Sequence, residues 1–292
     1  MKYALFLGCT VPVRGMNYEL SARKVAERVG LEFVEDERFS CCGFPIKAVD
    51  VETSLLMSAR NLAIAEEHGV HLCTLCSACN STLAEANKIL KEDDELREMV
   101  NEQLDGLRYE GTIEVKHFAR ILYEDVGIET LRDFITNPLE GFAFAPHYGC
   151  HYLKPSEAYD GFDNPEDPKS LDELIKVTGA DSVSYEEWDL CCGGGILGIE
   201  EDVALKMAGK KWRNLKKYQF DGLITICPFC TVMYESNQKK VEKLEGMEIG
   251  VPVFYYPQIL GLALGIPPDE LGFKLNRVRP TKFLEKLSSL VS

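Results

Sequence analysis

Short apolar runs recur along the chain, and four of them lead directly into a cysteine motif. Tyr3-Ala4-Leu5-Phe6-Leu7 runs into Gly8-Cys9, and Phe142-Ala143-Phe144-Ala145-Pro146-His147-Tyr148 runs into Gly149-Cys150. Gly69-Val70-His71-Leu72-Cys73-Thr74-Leu75 and Asp221-Gly222-Leu223-Ile224-Thr225-Ile226 each feed a CxxC motif. Short, bounded, apolar runs of this kind predict strands buried on both faces. Val115-Lys116-His117-Phe118 and Val253-Phe254-Tyr255-Tyr256 predict two more strands, followed by helical segments that end at Gly127-Ile128 and Gly265-Ile266. Between strands the period changes. Residues 51–67 carry apolar positions at 55, 56, 59, 62, 63 and 65, and residues 199–218 carry Val203, Leu205, Met207, Ala208, Trp212 and Leu215 with lysines opposite. Both predict helices. Residues 155–168, rich in Pro, Asp, Gly and Asn, predict an irregular loop. The first apolar run is too short for a targeting segment and is read as a strand. Alternating strand and helix predicts an α/β fold of two Rossmann-like halves with mainly parallel sheets.

The cysteines show that the halves are a duplication. Cys9, Cys41-Cys42 and Cys76-x-x-Cys79 form one set, and Cys150, Cys191-Cys192 and Cys227-x-x-Cys230 form the other. The gap from single cysteine to pair is 31 residues in the first set and 40 in the second, and that from pair to CxxC is 33 and 34. Residues 155–168 account for most of the difference. A pattern repeated once implies two structural repeats. The expected units are residues 1–138, residues 139–273 and a basic C-terminal tail, 274–292.

Composition narrows the chemistry. The 292 residues are 46% hydrophobic, enough for one large domain or two ordinary ones, and no apolar run is long enough to span a membrane. A net charge of −15 disfavours nucleic acid and anionic membrane as partners. Eleven cysteines, an odd count with no secretory signal, argue for a reducing cytoplasm rather than a disulfide framework. Four predicted strands end at a cysteine motif, and ligands gather at the carboxyl ends of strands in open α/β sheets. The glycines that follow each pair, Gly43 and Gly193-Gly194-Gly195, are expected to let backbone approach a bulky inorganic centre.

Structural zinc takes four ligands where each half offers five. A thioredoxin-like dithiol uses one CxxC and leaves the other thiols unexplained, and bridging adjacent cysteines is strained. An iron–sulfur centre suits soft, numerous thiolates best, although spacing alone does not give the cluster type. Gly193-x-Gly195-x-x-Gly198 follows a cysteine pair rather than a strand, so it is read as packing and not as a dinucleotide fingerprint.

Gly8-Cys9-Thr10, Cys41-Cys42-Gly43-Phe44-Pro45, Cys191-Cys192-Gly193-Gly194-Gly195 and Cys227-Pro228-Phe229-Cys230 carry a specific resemblance. The doubled pattern resembles the cysteine-rich CCG domain, and nearly the whole chain is similar to the CCG-domain subunit of methanogen heterodisulfide reductases. The resemblance implies two noncubane 4Fe–4S clusters. It assigns Cys9, Cys41, Cys42, Cys76 and Cys79 to one, and Cys150, Cys191, Cys192, Cys227 and Cys230 to the other. It further implies reduction of the mixed disulfide of coenzyme M and coenzyme B, held between the clusters. Electrons would come from a ferredoxin-like subunit with cubane clusters and a flavin-bearing subunit. The alternative is an electron-transfer subunit of a lactate- or glycolate-oxidising, fumarate-reducing or sulfur-oxidising system. Aligning Cys76 with Cys227 sets Cys73 opposite Ile224, which reads as a core position.

Both coenzymes are anionic, so Arg14 and Lys47, which lie just after cysteine motifs, are candidate contacts. His147 and His151 flank Cys150 and are expected either to donate to a cluster sulfur or simply to pack. Lys210, Lys211 and Arg213 read as a solvated helix face. Residues 274–286 carry a net charge of +4 and read as a solvated tail or a docking segment.

Overall fold

The computed structural model describes residues 1–291. The last residue of the predicted tail, Ser292, lies outside the described residues. In chain order the first half comprises β1 (Lys2–Phe6), α1 (Val11–Arg14), α2 (Met16–Arg28), β2 (Glu32–Val34), α3 (Val51–Glu67), β3 (His71–Thr74), α4 (Ser77–Glu92), α5 (Asp94–Asn101) and β4 (Val115–His117). It closes with α6 (Phe118–Arg120), a π-helical stretch Ile121–Gly127 and α7 (Ile128–Phe134). The second half comprises β5 (Ala143–His147), α8 (Ser170–Val177), β6 (Asp181–Ser182), α9 (Glu201–Leu215), β7 (Gly222–Thr225), α10 (Pro228–Thr231), α11 (Gln238–Glu245), β8 (Val253–Tyr255) and α12 (Tyr256–Ala263). The helix α13 (Thr281–Val291) follows.

The strands form two four-stranded sheets of the same order, β2-β1-β3-β4 and β6-β5-β7-β8, and every pairing is parallel. The expected α/β duplication is therefore the fold. The edge strands β2 and β6 escaped the sequence reading because they are only three and two residues long and lack an apolar run.

Each sheet is buried on both faces, so neighbours along a strand enter different cores. Tyr3 and Leu5 face inward with α2, α6, α7, α8 and α12, whereas Ala4 and Phe6 face outward with α3, α4 and α9. The inner helices cross between halves: α2 of the first packs on α12 of the second, and α7 on α8. Tyr18 on α2 stacks on Tyr255 at the end of β8, with ring centroids 4.1 Å apart. Across the same seam, His117 and Tyr18 both hydrogen-bond the carbonyl of Ile226. Among the described residues no helix is long and apolar enough to cross a membrane.

The segment read as a solvated basic tail packs against the second sheet. Phe283 on α13 is buried among Phe142, Phe144, Phe254 and Phe273. Lys286 pairs with Asp221 at 2.8 Å, and Lys274 with Asp269 at 2.9 Å. The charge count of this segment concealed a single aromatic anchor. Phe283→Ala is expected to destabilise the chain by roughly 3–5 kcal/mol. A drop in unfolding midpoint no larger than that of an exposed substitution on α13 would count against the anchor.

Glu235 is buried and accepts the N–H of Arg277 at 3.0 Å, which ties the start of this segment to the second half. Burial pushes its carboxyl up to about 7 from an ordinary 4.5. The folded chain then holds a proton that the unfolded chain has lost between those values. Stability conferred at this site falls as pH rises through that window, by about 3 kcal/mol, and is flat above it. Glu235→Gln should flatten this part of the thermal-stability profile between pH 5 and 8. Parallel profiles for the two proteins would show an ionised Glu235.

Candidate metal centre

Parallel pairing of β1 with β3 and of β5 with β7 aligns their carboxyl ends at one edge of each sheet. Gly8-Cys9 and Gly149-Cys150 follow β1 and β5. Cys76 and Cys227 cap α4 and α10, just beyond β3 and β7, with almost the same backbone angles (φ −135° in both, ψ 123° and 127°). The cysteine pairs arrive on loops that precede α3 and α9.

Those loops are held by the glycine after each pair, in the same way in both halves. Gly43 has φ +93°, and a β-carbon on it would lie 2.8 Å from the Ser54 backbone. Gly193 has φ +81°, and a β-carbon there would lie 2.8 Å from the Ala204 backbone. The same glycines, and Gly194, also meet the thiols: the N–H of Gly43 donates to Cys41 Sγ at 3.5 Å, that of Gly193 to Cys191 Sγ at 3.4 Å and that of Gly194 to Cys192 Sγ at 3.3 Å. Gly8 lies against a sulfur as well: a β-carbon there would sit 2.9 Å from Cys79 Sγ.

The thiols form one extended array. Cys192 and Cys230 meet at 3.5 Å. Neighbouring thiols act directly on one another's ionisation from Cys41 through Cys42, Cys79 and Cys76, across to Cys227, and on through Cys230, Cys192 and Cys191 to Cys150. Cys76 and Cys227 are the link between halves. Cys9 is exposed at the rim, within 3.7 Å of Thr10 Oγ1.

The array cannot ionise fully by itself. Hydrogen bonding with Cys41 lowers Cys42, and with Cys42 raises Cys41. Cys227 is lowered by Cys230 and Cys76, while Cys76 is raised by Cys227. Each thiolate that forms disfavours the next one unless positive charge lies among them. Among the described residues no three His, Cys, Asp or Glu side chains are grouped to hold a single metal ion. An elongated set of soft donors suits a group with several metal atoms, and the residues present fit an iron–sulfur centre.

Cys73 stands apart. It is fully buried in the inner core with Leu5 and Ile224, on the opposite sheet face from Cys42, Cys76 and Cys79, and burial pushes its thiol up.

A cavity of about 90 Å³ opens on the second half of the array, lined by Cys150, Cys191, Cys192, His151, Phe229 and, from the first half, Phe44 and Ser77. Phe44 and Phe229 lie 6.0 Å apart across it, and His151 stands edge-on to Phe44 at 5.1 Å. Ser77 Oγ is buried with no hydrogen-bond partner among the described residues. Sequence reasoning missed Ser77, although it lies inside a CxxC motif where a small polar side chain was visible.

Of the candidate contacts Arg14 and Lys47 and the two histidines that flank Cys150, only His151 lines this cavity. Arg14 is exposed at the end of α1. Lys47 pairs with Glu85 at 2.6 Å. His147 is fully buried, neither ring nitrogen has a partner among the described residues, and burial followed by the charge of Lys211 lowers it to about 3. The run Lys210, Lys211, Arg213 is not a uniform solvated face. Lys210 and Arg213 pair with Glu187 and Glu245, but Lys211 is buried with its Nζ on the carbonyls of Glu187 and Trp188.

Comparison with known proteins agrees with this geometry. The cysteine-rich CCG domain family matches residues 3–84 and 144–235, one stretch in each half. The chain is 37% identical to a subunit of the Ferredoxin/F(420)H(2)-dependent CoB-CoM heterodisulfide reductase of Methanosarcina acetivorans, over 98% of this chain and 97% of that one. It is 34% identical to a heterodisulfide reductase subunit-like protein of Archaeoglobus profundus, over 93% of each. It is 32% identical to the 8-methylmenaquinol:fumarate reductase membrane anchor subunit of Wolinella succinogenes, over 96% of this chain and 98% of that one. A hypothetical protein from Helicobacter pylori has the same fold, with a TM-score of 0.75 at 20% identity over 95% of this chain. The chain spans about half of that protein, 52%. With its duplicated cysteine sets, its matching sheets and relatives aligned end to end, the chain belongs to the cysteine-rich CCG family, among the proteins related to the CCG-domain subunit of heterodisulfide reductases.

Proposed function

We propose that this chain is the catalytic subunit of a cytoplasmic heterodisulfide reductase, with residues 1–138 and 139–273 as its two cluster-holding units. Cys9, Cys41, Cys42, Cys76 and Cys79 hold one noncubane 4Fe–4S cluster, and Cys150, Cys191, Cys192, Cys227 and Cys230 hold the other. The substrate is the mixed disulfide of coenzyme M and coenzyme B. The observation that carries this reading is the matched placement of Cys76 and Cys227 at the helix starts of the two halves, beside a cavity that both halves line.

The disulfide takes up two electrons and two protons and leaves as two thiols. When bound, the clusters supply those electrons one apiece, drawn from a ferredoxin-like cubane-cluster subunit and a flavin-bearing subunit. The chain's own residues shape the site. Phe44 and Phe229 exclude water from the seam, which strengthens every polar contact within it. Ser77 Oγ, unpartnered beside the cavity, donates to a substrate sulfur. His151, which burial keeps neutral, stands against Phe44 and closes one wall. The relatedness to the Wolinella subunit supports a second reading, electron transfer without a bound disulfide.

Anaerobically purified chain should contain about eight iron atoms with matching sulfide. Cys73→Ala should keep all of it and cost about 1 kcal/mol, whereas Cys41→Ala or Cys192→Ala should lose or rebuild one cluster. Equal iron loss in all three would break the ligand assignment.

Turnover separates the two readings. If each cluster contributes one electron at the bond being cleaved, Cys9→Ala and Cys150→Ala should each abolish reduction of the mixed disulfide by a diffusible one-electron dye. The untouched cluster should remain visible by spectroscopy. Substantial activity in either variant points to a single-cluster site with the other as a relay. No activity in the intact, iron-loaded chain with its partners favours electron transfer alone.

A further inference from the structure

The two cysteine sets correspond one to one, but the groups behind them do not. Gly43 packs on Ser54 and Gly193 on Ala204, which fixes the correspondence of α3 with α9. Counting on from there sets Asn61 opposite Lys211 and Leu62 opposite Trp212. Counting back from Cys9 and Cys150 sets Phe6 opposite His147, and counting on from Cys79 and Cys230 sets Leu83 opposite Tyr234. All eight side chains are buried.

Phe6, Leu62 and Leu83 give the first half a hydrocarbon backing. In the second half the same three positions carry hydrogen-bonding groups. Both ring nitrogens of His147, Nε1 of Trp212 and the hydroxyl of Tyr234 have no partner among the described residues. They form one group, with His147 edge-on to Tyr234 at 4.8 Å and Trp212 edge-on to Tyr234 at 5.7 Å. Tyr234 follows Cys230 by four residues in a helical run, so the two share a face. Its hydroxyl lies within electrostatic reach of Cys192 and Cys230, and so does the Lys211 ammonium. His147 is similarly placed with respect to Cys227 and Cys191. Three buried, unpartnered polar groups in one place are costly for folding unless something at the thiols accepts from them.

We propose that His147, Trp212, Tyr234 and Lys211 are positioning residues that stabilise the reduced form of the second-half cluster and give it the higher reduction potential of the two. This rests on the reading that each cysteine set holds an iron–sulfur cluster. Reduction adds one negative charge to a cluster. Unpaired donors and a cation beside it favour that charge, and a hydrocarbon wall does not. With both clusters bound, an electron that reached the first-half cluster would pass to the second, oxidising one and reducing the other by one electron, with no further reagent. The duplication therefore builds two similar sites with a direction between them.

The test is a redox titration of the anaerobically purified chain, followed by electron paramagnetic resonance, with iron measured on the same samples. Wild type should titrate in two one-electron waves. Cys192→Ser should alter the upper wave and Cys42→Ser the lower. Tyr234→Phe and Trp212→Phe remove a donor with little change of shape, and His147→Phe installs the first-half residue. Each should move the upper wave to lower potential and leave the lower wave in place. Phe6→His, the reverse exchange, should raise the lower wave. A single wild-type wave, the opposite assignment of the waves, or an upper wave unmoved in Tyr234→Phe would overturn the proposal. So would both waves falling together in the donor variants. A wild-type chain without iron would instead remove the cluster reading on which the proposal stands.

Discussion

The structure depends on a crowd of thiols that cannot all be thiolates alone. Nine of them form a continuous series of neighbours through both halves, and each ionisation raises the cost of the next. Buried thiols also lose solvation when they ionise, so the array would be an expensive arrangement without a cation to neutralise it. The rest of the fold can be read as the means of assembling it. Parallel strands deliver cysteines at their carboxyl ends, helices begin at the CxxC motifs, and paired cysteines are pinned against α3 and α9 by one glycine each.

Duplication alone would place two such arrays far apart. They meet because inner helices pack across the halves, α2 onto α12 and α7 onto α8, so the seam between them is a hydrophobic core and not a surface contact. That core includes Tyr18 stacked on Tyr255 and the shared acceptor Ile226, one residue before Cys227. Rigid packing of this kind fixes where Cys76 and Cys227 lie relative to one another without either residue having to hold the seam. It also explains why the cavity draws walls from both halves.

Much of this was legible in the sequence, for an identifiable reason. Cysteine spacing is set by the distance from a strand end to the next helix, so the duplication and the α/β class followed directly from Cys9, Cys41-Cys42, Cys76 and their counterparts. Helix α3 was bounded at Val51 and Glu67 by periodicity alone. What failed depended on tertiary packing. Strands β2 and β6 are too short to have a pattern. Lys211 reads as one of three basic residues on a polar face, and only the fold turns it inward onto two carbonyls. The charge of residues 274–286 outweighed Phe283, although one buried aromatic ring decides where that helix lies. Tyr234 could have been noticed, four residues beyond Cys230, but its polar end means nothing until His147 and Trp212 are seen beside it.

The contrast between ligands and backing follows from how a duplicated site can diverge. On the proposed assignment, removing a thiol would change the number of ligands, so the two five-cysteine sets stay alike. The wall behind them can change with fewer consequences, since an apolar side chain and a hydrogen-bonding one of similar size pack equally well if the latter finds a partner. Phe6 and His147 differ in this way at matched depth. A pair of centres with identical surroundings would have no preferred direction for charge. Unequal surroundings supply one while leaving intact the spacing on which the seam and its cavity depend.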